Sequence, residues 1–234
     1  MQPCYSLMCL SATRFSSQIR QIMLTEDPCL HVDVMDGVWV PNVGPSMDLV
    51  ASLQAAFEFK TQYHMMVSKP EVVGRILHVR PGDEVIVHIE TEAQIWPQLG
   101  QQIEAWAAVG VSCSLAVKSD TPIGTLFSRV NKLQIATGID WQPHALLLLQ
   151  VTPGRFGQSR AADSLTRLSS VRSALGANYP QARLGIDGNV DHHLLELAAP
   201  LLDYFVAGTS LIDFSKNIGS QLRNLGEMYE FKDA

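Results

Sequence analysis

The chain has 234 residues, 47% of them hydrophobic, and 17 basic against 23 acidic side chains give it a formal net charge of -6. A globular chain of this length buries about 70% of its unfolded surface, enough for one large domain, and residues 1–234 read as a single one. The absence of a basic block excludes a nucleic-acid partner, and no apolar run reaches the roughly 18 to 20 residues that a bilayer span needs. Cys4, Cys9, Cys29 and Cys113 show no C-x-x-C spacing and are too sparse for a disulfide framework. With no charged-then-apolar leader at the amino terminus, a reduced, cytoplasmic protein with no membrane partner is expected.

In chain order, β-type apolar runs cover Cys4 to Met8, Leu30 to Met35, Thr61 to Met66, Glu84 to Ile89, Ser112 to Val117, Ala145 to Val151, Arg183 to Asp187 and Tyr204 to Ala207. Between them the spacing turns helical, as in Phe15 to Leu24, Met47 to Phe57, Ile95 to Val109, Ala161 to Leu175 and His192 to Leu197. Strand and helix alternating over the whole length predict an α/β fold with a parallel sheet, and eight units close into a (β/α)8 TIM barrel. An open doubly wound sheet is the rival. No G-x-G-x-x-G follows the first strand, however, and there is no Gly-rich phosphate loop with its lysine. Pro81-Gly82-Asp83 and Trp141-Gln142-Pro143 read as approaches to strands rather than linkers.

The second strand carries the first chemical signal. At period two, His31, Asp33 and Met35 share one face and Val32 and Val34 the other. In a barrel the valines pack outward against helices, so His31 and Asp33 point into the mouth near the carboxyl end, where barrel active sites sit. The third strand repeats the device with His64 and Met66, and the seventh ends on Asp187 beside Gly188. Singly, each has a plain explanation: a satisfied core histidine, or an Asp in a turn. Together, two histidines and two carboxylates converge from three strands, and ionisable groups so placed are costly unless paired or bound to metal. Nitrogen and oxygen donors of this kind suit Zn, Fe(II), Mn or Co without choosing between them.

The segment from His31 to Gly37, followed by Val40-Pro41-Asn42, resembles the H-x-D-x-M-D-G...V-P-N signature of the ribulose-phosphate 3-epimerase family, which includes D-allulose-6-phosphate 3-epimerases. Further matches stand in the family's order. Ser6 to Met8 resembles its opening strand, and His64 to Val67 with Pro70 its H-[LM]-M-V-x-x-P. Val151 to Gln158 resembles its V-x-P-G-x-x-G-Q loop, Asp187 to Asn189 its D-G-G/S, and Val206 to Thr209 its V-x-G-[ST].

The resemblance covers residues 3 to about 214. It implies one divalent metal held by His31, Asp33, His64 and Asp187, with Asp33 and Asp187 also the acid/base pair. Ser6, His64, Gly154, Arg155, Phe156, Gly157, Asp187, Gly188, Asn189, Gly208 and Thr209 would line the site of a phosphorylated ketose, and the protein would be a homo-oligomer. The phosphate is expected near Gly208 and Thr209, where glycines let backbone N–H groups approach. Met35 and Met66 would form a soft apolar wall over the reacting carbons, against the plainer role of core filling.

Some positions depart from the family's pattern. Arg155 and Lys118 add positive charge near the mouth, each read as a solvated loop cation. The loop after Asn42 is about two residues short, and Asn189 replaces a frequent glycine. His88 and Glu90, in a family-like His-x-Glu, read as supporting residues because the ligand count is full without them. The rival functions are a related barrel decarboxylase, whose D-x-K-x-x-D is absent, and a non-catalytic sugar-phosphate-binding barrel, which would not need an acid on each face of a substrate.

Overall fold

The computed structural model describes residues 1–92, 95–138, 141–155 and 157–229. Eight parallel strands close into a barrel in sequential order, β1 pairing with both β2 and β8. They are β1 (Gln2–Ser6), β2 (Cys29–Met35), β3 (Lys60–Met66), β4 (Glu84–His88), β5 (Ser112–Val117), β6 (Ala145–Leu149), β7 (Arg183–Asp187) and β8 (Tyr204–Ala207). The helices are α1 (Phe15–Ile22), α2 (Met47–Ala56), α3 (Pro70–Val73), α4 (Trp96–Ala108), α5 (Ile123–Thr137), α6 (Ser164–Asn178), α7 (His192–Ala198) and α8 (Gly219–Tyr229). The (β/α)8 TIM barrel expected from the sequence is the fold. No helix among the described residues is long and apolar enough to cross a membrane.

Period-two alternation sorts the strand side chains into two layers. Val32 and Val34 of β2, Tyr63 and Met65 of β3, and Val85 and Val87 of β4 face outward into the apolar layer beneath the helices. Cys4, Ile86, Ala116, Leu147, Tyr204 and Val206 fill the interior. Gly185 of β7 belongs to that inner packing, because a Cβ there would stand 2.1 Å from the Tyr204 ring. The helices present matching stripes: Phe15, Ile19 and Ile22 recur at helical spacing along α1, and Ile19 and Ile22 are buried.

Helix boundaries follow local chemistry. The Ser46 side chain accepts from Leu49 N to start α2, and Asp191 does the same for Leu194 N in α7. Gly138, left-handed at φ 71, stops α5. Several expected boundaries move by one to three residues, those of β1 and α6 at both ends. β1 pairs from Gln2 against Tyr204 and ends at Ser6, and Leu7–Cys9 winds into a 3-10 turn instead of continuing the strand to Met8. α6 starts at Ser164 rather than Ala161, after a turn in which Ser164 N bonds Ala161 O, and runs on to Asn178.

Candidate active site

The register between β2 and β3 sets Asp33 directly opposite His64, and His31 opposite Gln62. Asp187, last residue of β7, reaches the same point from across the barrel. One donor atom from each of His31, Asp33, His64 and Asp187 lies within 4.8 Å of the others. His31 Nε2 stands 3.3 Å from Asp33 Oδ1 and 3.8 Å from Asp187 Oδ2. His64 Nδ1 stands 3.1 Å from Asp33 Oδ1 and 3.7 Å from Asp187 Oδ2. The four residues picked from three separate strands are therefore brought together.

Their chemistry fits a cation. His31 is fully buried, and among the described residues its Nε2 has no well-formed hydrogen bond, although two carboxylates stand beside it. Such an unsatisfied buried nitrogen costs about 1–3 kcal/mol, and a divalent ion at the centre of the quartet would give it a partner. Without an ion the groups polarise each other. Burial pushes the His31 imidazole down, but the close Asp33 contact and the Asp33 and Asp187 charges outweigh it and hold it up at about 9. Burial raises the Asp33 carboxyl, yet the bonds and charges of His31 and His64 bring it well below the usual carboxylate range. Asp187 goes the other way, raised by burial and by the Asp33 charge against the pull of the histidines. The two neighbouring carboxylates thus have their proton affinities pushed apart.

The quartet is supported from behind. His31 Nδ1 meets Gln62 Oε1 at 2.6 Å, and His64 Nε2 meets His88 Nε2 at 2.9 Å. His88 Nδ1 in turn meets Glu90 Oε2 at 3.1 Å. Burial would raise Glu90, but the His88 contact and the bonds from Thr121 and Lys118 N hold it at about 2. Trp39 lies against His88 with ring centroids 4.4 Å apart, and Lys118 Nζ sits 4.2 Å from the Trp39 ring centre. Lys118 is thus engaged in a cation–π contact rather than simply solvated.

Above the quartet opens a cavity of roughly 290 Å³. Asp33, His64 and Asp187 line it, whereas His31 is sealed beneath them. Of the other residues singled out from the sequence, Ser6, Met35, Met66, Gly154, Arg155, Gly157, Gly188, Asn189, Gly208 and Thr209 all line the same cavity, and Phe156 lies outside the described residues. Met35 and Met66 pack with Val40 as one apolar wall. Gly188 has φ +95, and a Cβ there would stand 2.5 Å from Val151, so only glycine fits this turn after Asp187. Asn42 and Ser210 also line the cavity, although neither was assigned to it from the sequence. Asn42 Nδ2 donates to Gly154 O at 3.3 Å and Ser210 Oγ to Asn189 Oδ1 at 2.8 Å, links between loops that local spacing does not reveal.

Comparison with known proteins decides the family, because a family model described as "Ribulose-phosphate 3 epimerase family" matches residues 4–212. The chain belongs to the ribulose-phosphate 3-epimerase family. With that membership goes the enzyme class, an isomerase of the carbohydrate-phosphate epimerase type. The ribulose-phosphate 3-epimerase of Mycobacterium leprae is 29% identical over 185 residues, 78% of this chain and 75% of that protein. That of Eremothecium gossypii is 26% identical over 219 residues, 84% of each. Among solved structures, a ligand complex of KGPDC from Streptococcus mutans superposes with a TM-score of 0.70 at 12% identity, over 97% of this chain and 96% of that one. The 3-hexulose-6-phosphate synthase of Salmonella typhimurium gives 0.65 at 14%, over 98% of both. At such identities these two structures speak for the fold alone.

Proposed function

We propose that this chain inverts C3 of a phosphorylated ketose, with Asp33 and Asp187 as the acid/base pair and a divalent ion held by His31, Asp33, His64 and Asp187. The observation that carries the reading is the placement of two carboxylates, one from β2 and one from β7, on the floor of a single cavity with a buried, unpartnered histidine nitrogen beneath them. When bound, the ion supplies the positive charge that stabilises an enediolate. The residues do the rest. One carboxylate removes the C3 proton from its face of the sugar and the other, protonated, returns a proton from the opposite face. Reversal exchanges their roles, so one pair serves both directions. Met35 and Met66 keep water from the reacting carbons, and the glycines at 157, 188 and 208, with Thr209, offer backbone N–H groups to the phosphate.

Ribulose 5-phosphate and xylulose 5-phosphate are the first substrates to test, since the relatives above are named for ribulose phosphate. Arg155, which lines the cavity mouth, favours a hexulose 6-phosphate such as allulose 6-phosphate as the second reading, because a longer sugar carries its oxygens further outward. Four free cysteines fit a reducing compartment, and a 25% identical rice relative is named as a cytoplasmic isoform, so we place the protein in the cytoplasm. An epimerisation screen over ketose 5- and 6-phosphates, with bound metal quantified, tests the function. Inversion of one of them by metal-loaded protein is expected. Tight binding of a ketose phosphate without turnover would instead make the chain a sugar-phosphate-binding barrel.

A further inference from the structure

β4 contributes no donor to the quartet, yet both of its ends reach toward it. Its first residue, Glu84, accepts from Gln62 Nε2 at 2.8 Å on one oxygen and from Ser114 Oγ on the other. Just past its last residue, Glu90 accepts from Lys118 N at 2.9 Å and from Thr121 Oγ1 on one oxygen, leaving Oε2 for His88 Nδ1. Each glutamate thus accepts on both oxygens and fixes the direction of the chain attached to it.

From Glu84, the Gln62 amide must turn its N–H outward and its Oε1 toward His31, which therefore carries its proton on Nδ1. A neutral His31, the form a metal ligand takes, then turns its Nε2 lone pair toward the point it shares with Asp33 and Asp187. From Glu90, His88 must carry its proton on Nδ1, leaving its Nε2 to accept from His64 Nε2–H. In the ion-holding form that leaves His64 Nδ1 with its lone pair toward the same point between the two carboxylates. The two histidines thus present opposite ring nitrogens to one point, and each orientation traces back to a glutamate at one end of β4.

The geometry points to β4 as the strand that sets the tautomer of both metal-holding histidines, with Gln62 and His88 as positioning residues in two separate chains, Glu84–Gln62–His31 and Glu90–His88–His64. The inference rests on the quartet holding a divalent ion, as proposed above. Partners that orient histidine ligands in this way are worth about 10- to 100-fold in metal affinity.

The test measures the Zn²⁺ dissociation constant by chelator competition in the wild type and in Gln62→Leu, His88→Leu and His88→Gln variants. ¹⁵N spectra of the histidine rings of zinc-loaded wild-type protein are recorded alongside. Both leucine variants should weaken Zn²⁺ binding about 10- to 100-fold, while His88→Gln, whose amide oxygen can still accept from His64 Nε2, should recover most of the loss. The spectra should show His88 protonated on Nδ1 and His64 on Nε2. Wild-type affinity in both leucine variants, or His88 protonated on Nε2 in the loaded protein, would overturn the inference while leaving the quartet in place. A wild type that takes up no Zn²⁺ would remove both the quartet's role and the inference. Should a leucine variant not fold, the wild-type spectra and His88→Gln still decide.

Discussion

At the scale of single residues the site depends on two carboxylates in different electrostatic settings. Asp33 receives both histidines and stays ionised, whereas Asp187 is raised by burial and by the neighbouring Asp33 charge. Asp187→Asn keeps the shape of the side chain but removes a proton carrier, so inversion should slow by about 10²- to 10⁴-fold. Steady-state assays on variant protein with verified metal content would check this, and a loss of less than tenfold would count against Asp187 as an acid/base group. His31, Asp33, His64 and Asp187 were legible in the sequence because they alternate with Val32, Val34 and Met65 or close a strand before a glycine. The bonds of His31 to Gln62 and of His88 to His64 were not legible. They depend on the cross-strand register, with Gln62 opposite His31 and Glu84 opposite Gln62, and no local pattern contains that information.

At the scale of elements, strands and their loops hold these groups in place through close packing and capping. Gly185 and the Tyr204 ring share one space between β7 and β8, so Gly185→Ala should destabilise the barrel by about 1–3 kcal/mol in urea unfolding. The same change in a Tyr204→Leu background should cost much less, since the two positions are in contact. The loop after β2 hangs on Asp36, which accepts from Val38 N, Trp39 N, Ser68 N and Ser68 Oγ at 2.7 to 2.9 Å. Burial raises its carboxyl, but these four bonds together bring it down to about 2 from an ordinary 3.8. A carboxyl lowered on folding stabilises the protein above its unfolded pKa, and the contribution fades as pH falls through the folded one. The stability gap between wild type and Asp36→Asn should therefore be full at pH 6 and roughly halved by pH 3. A gap that is constant or widens toward acid would contradict the assignment. Strand and helix alternation made the barrel legible, but not every boundary. β1 begins at Gln2 because β8 pairs with it there, and α3, only four residues long, carries too little periodicity to be singled out.

At the scale of the whole molecule, ligands drawn from β2, β3 and β7 mean that an ion in the quartet ties together strands far apart in sequence. Anything that binds the folded state alone stabilises it, by about 2.7 kcal/mol at a hundredfold excess over Kd. For a chain of this size that raises Tm by roughly 5–10 °C. Thermal unfolding with added Zn²⁺ or Mn²⁺, and again after chelation, should show a reversible shift, and no shift with any divalent ion would argue against the metal. The proposed function makes a stricter demand on the assembled site. A proton carrier that exchanges with solvent must leave its mark at the inverted carbon, so metal-loaded wild-type protein incubated in D₂O with ribulose 5-phosphate, or another ketose phosphate that it inverts, should place deuterium at C3 of the product. Inversion with the original C3 hydrogen wholly retained, or neither exchange nor inversion with any pentulose or hexulose phosphate, would contradict the two-carboxylate account.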